Sequence, residues 1–209
     1  MARPVDERKY QQRRLQIIDA ALTCFAAKGF DRSTTAEICR TAGIGSGTLF
    51  HYFPTKIDIL ISILETGQAE TEELFARFDS TSAPLDVITS YISHEAADLS
   101  DERAAGFVRV VGAMMFEPQV ATELNKHRQL TERMLLPWIN QARDDGTIRN
   151  DLSAKRLLHW ILALVDGFAS AVTDESFFDA TCETAILHNT IARFLRPEPS
   201  RRVPGNAGT

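Results

Sequence analysis

Ser46, Thr48, His51, Tyr52 and Lys56 set two aliphatic hydroxyls, an imidazole, a phenol and an ammonium within one short stretch of chain. These groups donate and accept hydrogen bonds, and no nucleophile, acid and base converge with them as an enzyme would need. Their chemistry is recognition. Gly43, Gly45 and Gly47 punctuate the end of one short helix and the start of another, Pro54 stops the second, and Thr55 with Asp58 caps a third. Two helices joined by a tight glycine turn, with hydrogen-bonding groups on the second, describe a helix-turn-helix, a device for reading duplex DNA.

Each group then has an expected role. The backbone N–H groups of Ser46, Gly47 and Thr48 open the second helix and suit phosphate. Thr48 is placed for a base or a thymine methyl, and His51, one turn on, for a base edge or a phosphate. Tyr52 and Lys56 fall toward the DNA backbone, although Tyr52 also reads as a half-buried packing residue and Lys56 as a surface lysine. Thr34 and Thr35 are phosphate candidates at the start of the preceding helix, where Thr34 and Glu37 also form a capping box. Arg8, Lys9, Arg13 and Arg14 are candidates for an arm along the phosphates or the minor groove.

These residues must be held by helices. Leu15, Ile18, Leu22 and Phe25 recur at helical spacing and mark the inner face of a first helix that Gly29 ends. Ile38 and Ala42 face inward on the second, and Leu49 and Phe53 on the third, which runs from Ser46 to Tyr52. A fourth helix, opened by Thr55, passes Leu60, Ile63 and Leu64 into the acidic stretch at Glu70, Glu72 and Glu73. After a break at 80–84, helical patterns resume over 85–99 and 103–116. Pro118 opens a long helix to Arg143 with Pro137 inside it, a position that kinks a helix. Two more follow, from Ser153 to about Thr173 and from Ser176 to about Leu195. The former is apolar nearly all round and must be covered on most sides. With no strand pattern and no repeat, the fold class is all-α with about nine helices. The expected organisation is an arm and DNA-binding head over 1–56, a helical body over 57–196, and a disordered tail over 197–209.

Composition bounds the function classes. The net charge of −5 is unevenly divided: residues 1–56 carry nine basic against five acidic residues, and the remainder fourteen against twenty-three. A basic head on an acidic body suits a protein whose head alone meets phosphate. Cys24, Cys39 and Cys182 have no metal-ligand spacing and an odd count, which fits buried thiols in a reducing compartment. The N-terminus lacks the apolar stretch of a signal peptide, and the run at Leu157–Val165 is too short to span a bilayer. A cytoplasmic protein with no membrane contact, no cofactor and no metal is expected. His94, His127, His159 and His188 are scattered, and Glu123 with His127 lacks a third ligand, so an enzyme is not expected.

Roughly residues 13 to 60 closely resemble the DNA-binding domain of the TetR family of bacterial regulators. The resemblance lies in Ile18, Ala21, Phe25, Gly29 and Phe30; in Thr34 and Ile38; in Ala42, Gly43 and Ile44; and in Gly47, Thr48, Leu49, Phe50, Tyr52, Phe53, Lys56 and Leu60. It implies a homodimer with two DNA-binding heads, a ligand cavity in each body, and release from a (pseudo)palindromic operator when a small effector binds. Three positions depart from the common pattern: Gly45 where Ser usually caps the recognition helix, Ser46 where Lys is frequent, and Phe50 for a frequent Tyr. An activator, or an interaction module of the same fold that has lost its operator, remains the alternative.

The body offers composition but no motif. Phe107, Met114, Met115, Phe116, Trp138, Trp160 and Phe168 are candidates to line an apolar effector cavity. Asp166 is the polar group among them, and few charges lie nearby, so an apolar or amphipathic effector is expected. The last two helices, about 153–195, are the expected dimer contact, as half of a four-helix bundle between subunits.

Overall fold

The computed structural model describes residues 7–173 and 178–197. Among these, nine helices and no strand are present: α1 (Glu7–Lys28), α2 (Thr35–Thr41), α3 (Ser46–Tyr52), α4 (Lys56–Phe75), α5 (Pro84–Asp98), α6 (Ala104–Met114), α7 (Pro118–Asp144), α8 (Ala154–Ala171) and α9 (Ala180–Leu195). The tail expected from 197 on lies almost wholly outside the described residues, as does the chain before Glu7. The four N-terminal basic candidates therefore sit on the first turns of a helix rather than on an extended arm.

Local chemistry sets the short helices. The boxes read at Thr34–Glu37 and Thr55–Asp58 both form, each with side chain to backbone bonds in both directions. Gly43, at φ +63°, ends α2: its N–H donates to Arg40 O, and the Ile44 N–H donates to Cys39 O at 2.9 Å. That pair of bonds needs a left-handed residue, which glycine adopts without a Cβ penalty.

Two cores result. The first gathers Ile17, Ala21 and Phe25 of α1, Ile38 of α2, Leu49 and Phe53 around α3, and Ile59, Leu60 and Ile63 of α4. Val110 of α6 and Val120 of α7 complete it, so the head is built partly on body helices. The second joins α5, α7, α8 and α9 through Val87, Ile88, Leu135, Ile139, Leu157 and Ile161. The long helix α4 enters both, ending in the second with Leu74 and Phe75.

Two expectations change. Leu15, assigned to the inner face of α1, is 52 % exposed, because the stripe that enters the core is Ile17, Ile18, Ala21 and Phe25. Helix α8 is not covered all round: Arg156, His159, Trp160, Ala163, Asp166 and Gly167 remain exposed. Helix α9 is described from Ala180, where the Asp179 carboxylate caps it by accepting from the Thr181 N–H at 2.9 Å, and the start expected at Ser176 lies outside the described residues. Helix α7 runs unbroken through Pro137.

Head and body meet most closely where α6 crosses α1. A Cβ added at Gly106 would lie 2.1 Å from the Ala26 carbonyl oxygen, so only glycine admits this approach. Gly112, on the same helix, has nothing within 4 Å of such an atom. Gly106→Ala is expected to lower unfolding stability by about 1–3 kcal/mol through overpacking. Gly112→Ala should raise it by about 0.5–1 kcal/mol, because the unfolded chain loses freedom without a clash. Urea unfolding of both variants decides, and equal effects would contradict the close crossing.

Glu95 on α5 is largely buried, and burial first, then the charges of Asp98 and Asp166, push its carboxyl up to about 7. Its folded value lies above the unfolded value, so the associated stability is full below the ordinary 4.5 and is lost as pH rises to about 7. The loss is of order 3 kcal/mol. Unfolding of Glu95→Gln should show a flatter profile between those pH values and higher stability at pH 8; an unchanged profile would count against the burial.

Candidate nucleic-acid interface

The geometry of α2, its turn and α3 starts from what is hidden. Leu49 is fully buried and Phe53 nearly so, and these two anchor α3 to the head core. With one side fixed, Ser46, Gly47, Thr48, Phe50 and His51 are left exposed. Gly45 is the N-cap and gives no side-chain bond. The five exposed residues form the broad outward side of α3, with small, hydroxyl, aromatic and imidazole groups and no carboxylate.

Gly47 is the informative member. Its backbone does not need glycine, and an added Cβ would meet nothing within 4 Å. Glycine inside a helix costs about 1 kcal/mol relative to alanine. Among the described residues no close packing at Gly47 explains its presence. A smooth, Cβ-free spot on an exposed helix is what close approach of an external surface requires.

The surrounding residues lock this face in place. Gln16 of α1 donates its amide N–H to Ala42 O at 2.6 Å, gripping the turn between α2 and α3. Tyr52 is half-buried and stacks on Tyr10 with ring centroids 4.6 Å apart, while His51 meets it edge-on at 5.3 Å. Thr34 accepts from the Glu37 N–H at 3.2 Å, and its own N–H donates to the Glu37 carboxylate at 3.1 Å. The Lys28 ammonium also donates to that carboxylate, and with the Thr34 N–H it holds Glu37 down to about 2. Capping thus occupies the acceptor side of the Thr34 hydroxyl. Thr35 begins α2 and is half-buried.

Lys56 stands differently from the expectation of a point charge against phosphate. Its ammonium donates to Phe30 O at 2.7 Å and Ser33 O at 3.0 Å, and lies 4.2 Å from the Phe30 ring centroid. The start of α4 is thereby tied to the loop between α1 and α2. Arg14 likewise turns inward, donating to Ser62 Oγ at 2.7 Å beside Glu65, with its guanidinium over the Phe53 ring. Arg13 donates to Gln16 Oε1 at 2.9 Å, and Arg8 is exposed. Tyr10 and Gln16 escaped the sequence reading, because a stacking partner 42 residues away and a side chain on a distant carbonyl leave no local pattern.

The effector candidates do not share one place. Phe107 and Met114 pack against the head core, Trp138 against the body core, and Phe168 inside the latter. Met115, Phe116 and Trp160 are exposed. The Asp166 carboxylate is also exposed, 3.8 Å from the Arg128 guanidinium. Glu123 is engaged by Lys126 and Gln68. Among the described residues no group of three His, Cys, Asp or Glu side chains stands close enough to hold a metal ion. No described helix is long and apolar enough to cross a membrane.

Comparison with known proteins agrees with this architecture. Residues 17–63 match the family model described as bacterial regulatory proteins, tetR family. The HTH-type transcriptional regulator UidR of Escherichia coli K12 is 29% identical over 171 residues, covering 79% of this chain and 84% of its own. The HTH-type transcriptional repressor KstR2 of Mycobacterium tuberculosis H37Rv is 26% identical over 155 residues, covering 71% and 76%. The fold is similar to that of the transcriptional regulator FadR from Bacillus subtilis, solved with stearoyl-CoA, at a TM-score of 0.72, 20% identity and coverage of 85% and 97%.

The two roles of Lys56 can be separated. Lys56→Met should lower the unfolding midpoint, with a cost of about 1.5–3 kcal/mol for a lost charge-assisted bond. It should leave the slope of log K against log[salt] for DNA unchanged, since no phosphate contact disappears. A slope reduced by about one at unchanged stability would return Lys56 to the phosphate.

Proposed function

We propose that the chain is a member of the TetR family of bacterial regulators, whose model residues 17–63 match, and that it is a ligand-responsive transcriptional repressor. It binds a (pseudo)palindromic operator as a homodimer in the cytoplasm and is released by a small effector that is apolar or amphipathic. The observation that carries the reading is the carboxylate-free face of α3, with Gly47 at its start. On this reading Gly47 lets the helix approach the groove floor, and Thr48 and His51 meet base edges. Ser46, Thr34, Thr35 and Tyr52 set register on phosphates, and Lys56 positions α4 beneath them. Residues 1–56 form the DNA-binding unit and 57–196 the effector-binding and dimerisation body. Two of the similar proteins support ligand control and repression: KstR2 is named a repressor, and FadR was solved with an acyl-CoA.

The exposed faces of α8 and α9 support a dimer formed through these two helices. Trp160 on α8 is 52 % exposed and Ile186 on α9 58 % exposed, with Ala163 and Gly167 exposed further along α8. Large apolar groups beside small ones suit close helix packing, and a second copy would complete a four-helix bundle. Two heads held this way present α3 helices to successive major grooves, roughly 34 Å apart.

DNase footprinting on DNA flanking the gene, paired with sedimentation, tests this. The wild-type chain should sediment as a dimer and protect two half-sites related by two-fold symmetry. Trp160→Glu should shift it toward monomer and weaken protection at least about tenfold by loss of the second head. No protection at low salt would favour the interaction-module alternative.

A further inference from the structure

A cleft of about 530 Å³ opens between α1 of the head and α4, α5 and α6 of the body. Its size falls within the usual range for small-molecule sites, about 300–1,000 Å³. The walls are apolar on the head side: Leu15, Ile18 and Leu22 run along α1, with Ile63 of α4 and Phe107 of α6 facing the same space. This accounts for Leu15, a large apolar residue in the α1 stripe that packs into neither core and is half exposed.

The polar lining has one sign in excess. Glu70 of α4 and Asp98 of α5 both border the cleft, where burial and nearby negative charge raise both carboxyls above their ordinary values. Arg103, the cation of the lining, is committed elsewhere: to Asp19 of α1 at 2.7 Å and to Asp101 at 2.9 Å. The side chain nearest in charge to Asp98 is His94, 3.8 Å away, with His127 behind it. The cleft thus joins an apolar wall to two carboxylates at its solvent-open side, while the arginine of the lining is committed to Asp19 and Asp101.

We propose that this cleft is the effector site and that it takes a small amphipathic organic cation, a quaternary or protonated amine on an apolar body. The proposal rests on the reading of the chain as a ligand-controlled regulator. The cationic centre sits between Glu70 and Asp98, where it offsets the negative excess of a lining that holds Asp19, Glu70, Asp98 and Asp101 against Arg103. The apolar body covers Leu15, Ile18, Leu22 and Phe107, and the hydrophobic effect favours that contact. An anion of the same shape meets repulsion, and a neutral analogue adds no counter-charge. The ligand also acts where coupling is needed, since the Arg103–Asp19 pair on the rim ties the start of α6 to α1.

Calorimetric titration of the full chain with octyltrimethylammonium, octyl glucoside and octanoate tests the site without DNA. The cation should bind saturably, one per chain, and at least about tenfold more tightly than either match. Glu70→Gln and Asp98→Asn should each weaken it about tenfold, and Glu72→Gln, on α4 outside the cleft lining, should not. An unchanged unfolding midpoint for both cleft variants confirms an intact fold. Equal binding of all three probes, no saturable heat, or no effect of the two cleft variants would overturn the site. With the cleft saturated, operator affinity should fall at least about fivefold, and an unchanged affinity would overturn its role as effector site. If the ligand-free chain retains no DNA at all, it is the regulator reading that fails, and the calorimetric arms still decide the cleft.

Discussion

The close crossing of α1 and α6 is the constraint on which the remaining geometry depends. Gly106 lets the two helices approach to a distance no side chain permits, and Val110, one turn on, enters the head core beside Ile17 and Phe25. The head is therefore seated on a body helix rather than tethered by a linker. From α1 the fixation passes outward through Gln16 to the α2–α3 turn, and through Tyr10 to Tyr52 at the end of α3. A displacement of α6 has a packed, hydrogen-bonded route to the exposed face of α3. This is a physical connection between two sites, which a ligand-controlled DNA binder needs.

Charge is divided along the same line. Basic residues gather on the head, and their excess gives way to carboxylates beyond α3. Where head and body meet, Asp19 of the head and Arg103 of the body are paired, while Glu70, Glu95 and Asp98 stand in partly or largely buried surroundings with raised values. Burial makes the ionised Glu95 costly to stability, and groups of this kind cluster at functional sites. The α3 face, by contrast, carries no carboxylate to repel phosphate.

What the sequence made legible was local. The capping boxes at Thr34–Glu37 and Thr55–Asp58, the glycine stops and the bounds of α3 all depend on bonds within a few residues, so spacing alone reveals them. Inward faces of α2 and α3 followed from periodicity for the same reason. Long-range contacts were not legible. Lys56 finds its carbonyls 23 and 26 residues back, and Arg14 finds Ser62 across the head, where no pattern in one chain points. Apolar spacing also cannot separate core from surface or cavity. Phe168 is core, Trp160 is exposed, and Leu15 lines a cleft, although all three sit in helical stripes.

Operator binding by Gly47→Ala, measured beside its unfolding midpoint, decides whether the outward side of α3 meets DNA. The added methyl meets nothing in the chain and replaces a poor helix former, so stability should be unchanged or rise by about 0.5–1 kcal/mol. Affinity for DNA should nonetheless fall at least about tenfold, because the methyl intrudes where α3 meets the groove. A variant that is more stable and binds as tightly as the wild type would contradict the assignment of this face to DNA.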